Sequence, residues 1–547
     1  MTVPNSTPST TPINADIIIV GGGFGGCFAL HQLRNAGYSV KLLEAGSDFG
    51  GVWHHNRYPG ARVDSDMPLY QLSLPKAWGS FNFSERFAGH KEIRQYFSHI
   101  AEALDLRKDA IFNTRVVKSS FDSKSSTWSL IAENGLTTKS RYVVFATGST
   151  NKAYIPSFPG LDTFTGKVIH PVAWPKDVDL SGKRIGIIGQ GASGLQILQE
   201  LAKDDYQITV FVRNPPNCFP MKQRSLSRVE SEQQKVFYEA LFQHAKYHHE
   251  QATAHGSLPG SFHDASPEER RQRYEEVWAR GSYAIFAMTY PEVNFDKAAN
   301  ADLYQFWAEK VRSRITDPVK RDIMAPVEQF QWIGMKRPSL ETNYYEMIDR
   351  PNVKLVDLKK SPIKKFTGSG IVTGQDVEEA HDLDVVIFAT GYDSVTGSLY
   401  GMNISDKHGQ PLQKKWEDGI CTYLGMMIPE TPNAFLLYGP QAPSGLANGP
   451  PFLELQVEWI AEVLQKLRAE KILSIEASTE AADAYSQKHL QIYDQSLMKE
   501  TPSWWNGSNI PGKKREPLFW VGGLQGWRAL TLEGLKGWSN YVLKRQE

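Results

Sequence analysis

Two short phrases in this chain have the residue types and spacing to hold dinucleotides. Gly21, Gly23 and Gly26 stand at the G-x-G-x-x-G positions directly after the apolar run Ile17 to Val20, and Gly189, Gly191 and Gly194 repeat the spacing after Arg184 to Ile188. In such a loop the first glycine makes a tight turn, the second lets backbone approach a pyrophosphate, and the third lets helix pack on strand. The residue closing the next strand separates the two sites. Glu44 follows Tyr38 to Leu43, about 20 residues beyond the glycines, where a carboxylate bonds a ribose diol and repels a 2′-phosphate. Arg213 follows Gln207 to Val212, where a guanidinium takes a 2′-phosphate or, failing that, is a solvated strand end. The first site is expected to hold FAD or NAD, not NADP, and the second NADPH. Opposite preferences in one chain imply hydride flow from NADPH to a bound flavin.

Three further charged residues draw attention. Asp64 ends the glycine- and aromatic-rich stretch Gly50 to Asp64, which has the composition to wrap a flat ring. A carboxylate beside a redox ring can tune it or hold a catalytic cation, and its ordinary alternative is a loop or helix cap. Lys336 and Arg337 precede Pro338. Lys336 can reinforce a phosphate site and Arg337 is a permanent cation able to sit over a reduced flavin, against the local reading of an exposed basic pair. His54 and His55 read as wall residues, since no further ligand stands at metal spacing; no metal site is expected.

The elements that must position these groups follow from periodicity. The fold class is α/β: two Rossmann-like dinucleotide-binding domains, one for FAD and one for NADP, with a helical insertion in the NADP domain. Residues 1–14 read as a disordered tail, 15–150 as the first part of the FAD domain and 151–180 as an interdomain linker. Next come 181–221 and 336–380 as the two parts of the NADP domain, 222–335 as the polar helical insertion between them, and 381–547 as the second part of the FAD domain. Arg115 to Tyr142 alternates around an Asn134-Gly135 turn, which predicts a small antiparallel meander. Val143-Val144-Phe145-Ala146-Thr147-Gly148 recurs as Val386-Ile387-Phe388-Ala389-Thr390-Gly391. Each copy is a buried strand running into a glycine turn, and the pair fits a chain that leaves and re-enters domains.

Composition narrows the function. The 547 residues suffice for roughly three or four domain-sized units, and sixty basic residues balance sixty acidic ones, so nothing favours nucleic acid or an anionic membrane as partner. Small-molecule work is the expectation. No stretch approaches ~18 consecutive apolar residues, so no transmembrane span is expected. Cys27, Cys218 and Cys421 are scattered without a C-x-x-C pair, which disfavours a disulfide framework or redox dithiol and fits a reducing, cytoplasmic setting. The composition is silent on oligomeric state.

Longer motifs reach a family. Gly51-x-Trp53, Tyr58-Pro59-Gly60 and Asp64 fit one fingerprint, and Phe164-x-Gly166-x-x-x-His170-x-x-x-Trp174-Pro175 fits another. With the two glycine loops between and around them, the chain resembles the Baeyer-Villiger monooxygenases of the class B flavin type from about Asp16 nearly to its end. Lys336-Arg337-Pro338, followed by Tyr344-Tyr345 and Arg350-Pro351-Asn352-Val353, matches the stretch around the family's active-site arginine. Trp504 to Lys513 matches the mobile lid that closes on NADP, placed near 501–515. The resemblance implies FAD and NADPH as cofactors, a ketone and dioxygen as substrates, and an ester or lactone as product through a C(4a)-peroxyflavin. It makes Arg337 and Asp64 the catalytic pair, with Trp53 at the cofactor and Trp504 as a lid contact. His170 is given no chemical step. The chain departs from the family at His54-His55, where an aromatic pair is common, and at Gln190, where threonine is common. Rival classes are a heteroatom (S or N) flavin monooxygenase and an uncoupled NADPH oxidase.

Overall fold

The computed structural model describes residues 12–545. Strand β1 (Ile13–Val20) begins earlier than the apolar run and is fully buried from Ile17 onward, as a central strand covered on both faces requires. Of the expected tail, residues 1–11 lie outside the described residues. Ile13 and Asn14 belong to β1 instead, because they pair with Thr138 and Lys139. Helix α1 (Phe24–Asn35) leaves the first glycine loop and stops just before Gly37, whose φ of +82° suits glycine. Strand β2 (Val40–Leu43) then lies parallel to β1.

Four more strands complete this part of the first sheet: β3 (Ala110–Ile111), β4 (Val116–Asp122), β5 (Thr127–Ala132) and β6 (Thr137–Phe145). The meander is present, with its last strand doing double duty. The first half of β6 pairs antiparallel with β5 and its whole length pairs parallel with β1, so meander and parallel core share one strand.

The stretch expected to be a linker is partly sheet. Strand β7 (Lys167–Ile169) pairs parallel with a strand far along the chain. It is the edge of a second sheet that includes β8 (Arg184–Ile188) and β9 (Gln207–Val212). Strand β10 (Cys218–Pro220) leads into the insertion, and β11 (Ser339–Glu341) leads out. Their parallel pairing closes the stem of the insertion, so over a hundred residues enter and leave at one point. After β12 (Val353–Asp357) come the antiparallel β13 (Ile363–Thr367), β14 (Gly370–Thr373) and β15 (Glu379–Asp382), then β16 (Val385–Phe388). The second sheet runs β12-β9-β8-β16-β7. It therefore extends to Phe388, past the expected boundary at 380, because β16 pairs with β8 and β7. Among the described residues only β17 (Ile404–Ser405) and β18 (Ala434–Leu436) return to the first sheet, against β4 and β6.

The repeated phrase thus has one copy in each sheet, and each copy serves its own glycine loop. Gly21 has φ +111° and Gly189 φ +95°. A Cβ on Gly21 would strike the Ala146 carbonyl, and one on Gly189 would come within 2.6 Å of the Ala389 carbonyl. Strand end and loop can approach this closely only without a side chain.

The insertion is helical, with long members at Pro267–Arg280 and Lys297–Arg312. Its polar sequence is not uniformly solvated. Tyr274, Tyr304 and Trp307 are completely buried, and the Trp307 indole donates to the Cys218 carbonyl at 2.9 Å. Lys246 of the insertion meets the buried Glu454 at 3.2 Å, and that carboxylate also accepts from the Ser73 backbone at 2.6 Å. The insertion is thereby fastened to the helix Gly449–Ala469 that packs on α1.

Candidate functional site

A cavity of 1420 Å³ opens between the two sheets. That exceeds the ~300–1000 Å³ usual for one drug-sized ligand. Its lining includes Gly21, Gly23, Glu44, Trp53 and Asp64 from the first unit and Gly189, Gly191, Arg213, Lys336 and Arg337 from the second, with Trp504 from near the end. Gly26 and Gly194 lie behind the lining, where a Cβ would collide with the carbonyls of Gly21 and Gly189. They set helix against turn. A Cβ on Gly191 would meet nothing within 4 Å, so the second loop presents bare backbone to open space, as a pyrophosphate cradle does.

Glu44 closes β2 and is buried. Its Oε2 accepts from the Gly22 backbone at 2.5 Å and its Oε1 from Gly46 at 2.6 Å, which fixes the carboxylate at the cavity wall. Trp53, in a short helix over Val52–His55, donates from its indole to the Tyr70 hydroxyl at 3.0 Å. His55 reaches the lining and His54 does not. Gly50, Gly51, Val52, Asn56 and Asp64 of the same stretch also line the cavity, whereas residues 57–63 turn away from it: Tyr58 bonds Gln196 at 2.9 Å on the helix Ala192–Leu201. Gly60, with φ +78°, lies so near that helix that a Cβ would come within 2.6 Å of the Gln196 carbonyl. The Tyr58-Pro59-Gly60 motif is a docking point between units.

Arg337 and Asp64 stand 273 residues apart in sequence and meet at 2.7 Å, Nη2 to Oδ2. Both side chains are half-buried. Burial works against the Asp64 charge, but the Arg337 guanidinium and hydrogen bonds from Arg337 and Tyr283 outweigh it, holding the carboxyl below its ordinary range. Burial likewise disfavours the guanidinium, and Asp64 and Tyr283 more than restore it. Arg337 also reaches the Gly445 carbonyl at 3.4 Å. Tyr283 was not foreseeable from spacing: it comes from the insertion and donates to Asp64 Oδ2 at 2.7 Å.

At the other end Arg213 is exposed at the end of β9. Burial and then the Arg213 charge push the Lys336 ammonium down from its ordinary value, so two cations share this corner. Gln190 accepts from the Tyr344 hydroxyl at 2.7 Å and donates to the Gly189 carbonyl at 2.9 Å, tying the second glycine loop to the helix Tyr344–Asp349. His170 Nε2 donates to the Gly391 carbonyl at 3.0 Å and its Nδ1 accepts from Val172. Burial keeps its basicity low, and this neutral imidazole holds the second strand-end turn. Phe164 packs at 6.0 Å from Phe366 within the second unit, and Trp174 packs on the main core.

The segment 501–515 lies against the cavity mouth. Asn509 donates to the Tyr392 carbonyl at 2.9 Å, and Lys513 bonds Asp393 and the Ser394 carbonyl, each at 3.0 Å. Trp504 stands edge-on to Phe519 at 5.4 Å and lines the cavity. Among the described residues no helix is long and apolar enough to cross a membrane, and no cluster of three or more His, Cys, Asp or Glu could hold a metal.

Comparison with known proteins agrees with this geometry. Residues 14–221 match the flavin-binding monooxygenase-like family model. The chain is 37% identical to cyclopentanone 1,2-monooxygenase of Comamonas sp. (strain NCIMB 9872), covering 96% of each protein. It is 34% identical to a Baeyer-Villiger monooxygenase of Pseudooceanicola batsensis, covering 100% of this chain and 99% of that one. The crystal structure of OTEMO in complex with FAD and NADP superposes with a TM-score of 0.92 at 31% identity, over 97% of this chain and all of the other. With its arginine–aspartate pair set between two glycine loops, the chain belongs to the Baeyer-Villiger monooxygenase family of class B flavoprotein monooxygenases.

Proposed function

We propose that the protein is a FAD- and NADPH-dependent monooxygenase that inserts one atom of dioxygen beside a ketone carbonyl to give an ester or lactone. The observation that carries this is the Arg337–Asp64 pair on the wall of a cavity shared by both glycine loops. Gly21, Gly23, Gly26, Glu44 and Trp53 suit the FAD side. Gly189, Gly191, Gly194, Arg213 and Lys336 suit the NADPH side, with Trp504 as a lid contact. When bound, FAD supplies a ring that NADPH can reduce and that in reduced form activates dioxygen.

The chain's own groups do the rest by position and charge. Arg337 offers a fixed cation where negative charge develops on oxygen as the carbonyl is attacked, and a preorganised charge costs no reorganisation at that moment. Asp64 anchors the guanidinium. Leu437, Pro450, Leu453 and Trp504 contribute apolar surface to the cavity, which limits water and strengthens every charge interaction inside. The segment 501–515 would retain NADP⁺ through its contacts with Tyr392, Asp393 and Ser394. Asp393→Asn is expected to weaken NADP⁺ binding about threefold, as loss of a partly exposed ion pair should, measurable by titration of the flavin spectrum. We place the enzyme in a reducing compartment such as the cytoplasm on its three unpaired cysteines.

The direct test is a panel of linear, cyclic and aryl ketones with NADPH and ¹⁸O₂, read by product mass. Esters carrying one labelled oxygen are expected. Sulfoxides from a parallel sulfide panel, without esters, would move the protein to the heteroatom class. Equal NADPH consumption with and without ketone, and no ester, would make it an oxidase.

A further inference from the structure

One oxygen of Asp64 has two donors. Its Oδ2 takes the Arg337 guanidinium and the Tyr283 hydroxyl, each at 2.7 Å. The same hydroxyl stands 3.2 Å from the carbonyl of Pro338, the residue after Arg337. A phenol carries one proton, so it serves one of these acceptors at a time, and the shorter contact to a charged oxygen holds it. Asp64 Oδ1 has no side-chain hydrogen bond among the described residues. A guanidinium and a carboxylate left to themselves prefer a fork with two parallel bonds. Here they meet through one.

The backbone is bent to deliver this tyrosine. Gly281 has φ +68°, and the next residue, Ser282, has φ +60° despite its side chain, a conformation that persists only where surroundings enforce it. They do so through a second carboxylate of the same loop. The Ser282 hydroxyl bonds Asp66 Oδ2, and Arg86 joins Asp66 Oδ1 at 2.5 Å to the Arg280 carbonyl at 3.1 Å. The insertion is thus clamped to Asp66 by Ser282 and to Asp64 by Tyr283, and an aromatic ring lies 5.4 Å from the Arg337 guanidinium carbon.

We propose that Tyr283 is a positioning residue of the oxygenation site: its hydroxyl occupies Asp64 Oδ2, keeps the carboxylate from closing a two-bond fork on Arg337, and leaves the guanidinium charge directed at the cavity. This rests on the role given to Arg337 under the proposed function. Without the hydroxyl the carboxylate turns, pairs fully with Arg337 and neutralises the charge that oxygen transfer needs. The groups facing Asp64 are Arg337, Tyr283, Tyr58, Tyr70 and Tyr438, and among the described residues Tyr283 is one of two side-chain donors to the carboxylate.

The test is Tyr283→Phe in the FAD-loaded enzyme, a change that removes one oxygen and keeps the ring. NADPH oxidation should continue, ester formed per NADPH should fall about three- to tenfold, and hydrogen peroxide should account for the difference. The acid limb of ester formation should move to lower pH, because the second guanidinium bond that Asp64 then gains is charge-assisted and favours its ionised form more than the lost phenol bond did. A role in packing alone would not move that limb. In an Asp64→Asn background, Tyr283→Phe should add no further loss of coupling. Unchanged coupling with an unchanged acid limb overturns the proposal, as does a full additional loss in the Asp64→Asn background. If the unaltered enzyme makes no ester from any ketone, the functional reading falls and takes this inference with it; ester from the unaltered enzyme with identical yields from Tyr283→Phe sinks the inference alone.

Discussion

Arg337→Ala is expected to lower ester formation about 10²- to 10³-fold, while the protein stays yellow and goes on oxidising NADPH. The size follows from the ~3–4 kcal/mol that one preorganised oxyanion partner contributes in a water-poor site. The separation of functions follows from placement. Arg337 bonds Asp64 and, at 3.4 Å, the Gly445 carbonyl, and among the described residues no hydrogen bond joins it to either glycine loop or to Glu44. Its loss leaves both dinucleotide cradles standing. Asp64 then keeps the Tyr283 hydroxyl and a backbone hydrogen bond against the cost of burial, so its carboxyl rises toward neutrality and no stranded charge unfolds the site. NADPH electrons that no longer reach a ketone should appear as peroxide. Arg337→Lys keeps a charge but loses the planar fork that engages Asp64 and Gly445 together, and should fall between the two. Flavin absorbance, NADPH consumption, peroxide and ester mass measured on one sample decide the matter. Ester formation within tenfold of the unaltered enzyme would remove Arg337 from the mechanism.

How far the site was legible differs residue by residue, and the difference is one of range. The strand, turn and helix around each glycine loop, with Glu44 and Arg213 at the ends of the next strands, are readable because the signal is local and falls within about 30 residues. Arg337 and Asp64 carry no such mark. Their 273-residue separation gives spacing nothing to work with, and only the resemblance to a family paired them. Tyr283 escaped both routes. Its one external sign was Gly281 just after a long helix, which signals a stop and a turn without saying what the turn presents.

The errors in domain boundary have the same origin. Lys167 to Ile169 is too short for a period to show, and β7 exists because β16 offers it a partner. The repeated Val-Ile-Phe-Ala-Thr-Gly type of phrase suggested re-entry of the first unit at 381. It marks equivalent strands of two different sheets, β6 and β16. A repeat in sequence reports equivalent jobs, and which sheet each copy joins is decided by pairing partners far away. The polar tract Glu268 to Arg280 has the composition of a solvated face. It is one for most of its side chains, yet Tyr274 and Val277 anchor it in the core.

Arg213→Ala should cost about 10- to 100-fold in preference for NADPH over NADH, the range of one charge-assisted contact to a phosphate. Arg213 and Lys336 have no ion-pair partner among the described residues, although carboxylates neutralise many other cations of this chain. Two neighbouring cations repel, and the depressed Lys336 ammonium registers that repulsion after burial. A bound dianion would relieve it, and a 2′-phosphate supplies one exactly where only NADPH carries it; NADH brings a neutral hydroxyl. Removing Arg213 should therefore raise the NADPH concentration needed for flavin reduction while leaving the weak NADH reaction almost as it was. The loss should shrink as salt rises, because screening already weakens the contact in the unaltered enzyme. Lys336→Ala should act in the same direction, and since the two charges address one ligand group, the double variant should lose less than the product of the single losses. Stopped-flow reduction of the flavin by each nucleotide, at low and high ionic strength, gives all of these ratios. Equal losses with NADPH and NADH would show that Arg213 supports the fold of the strand end and does not read the phosphate.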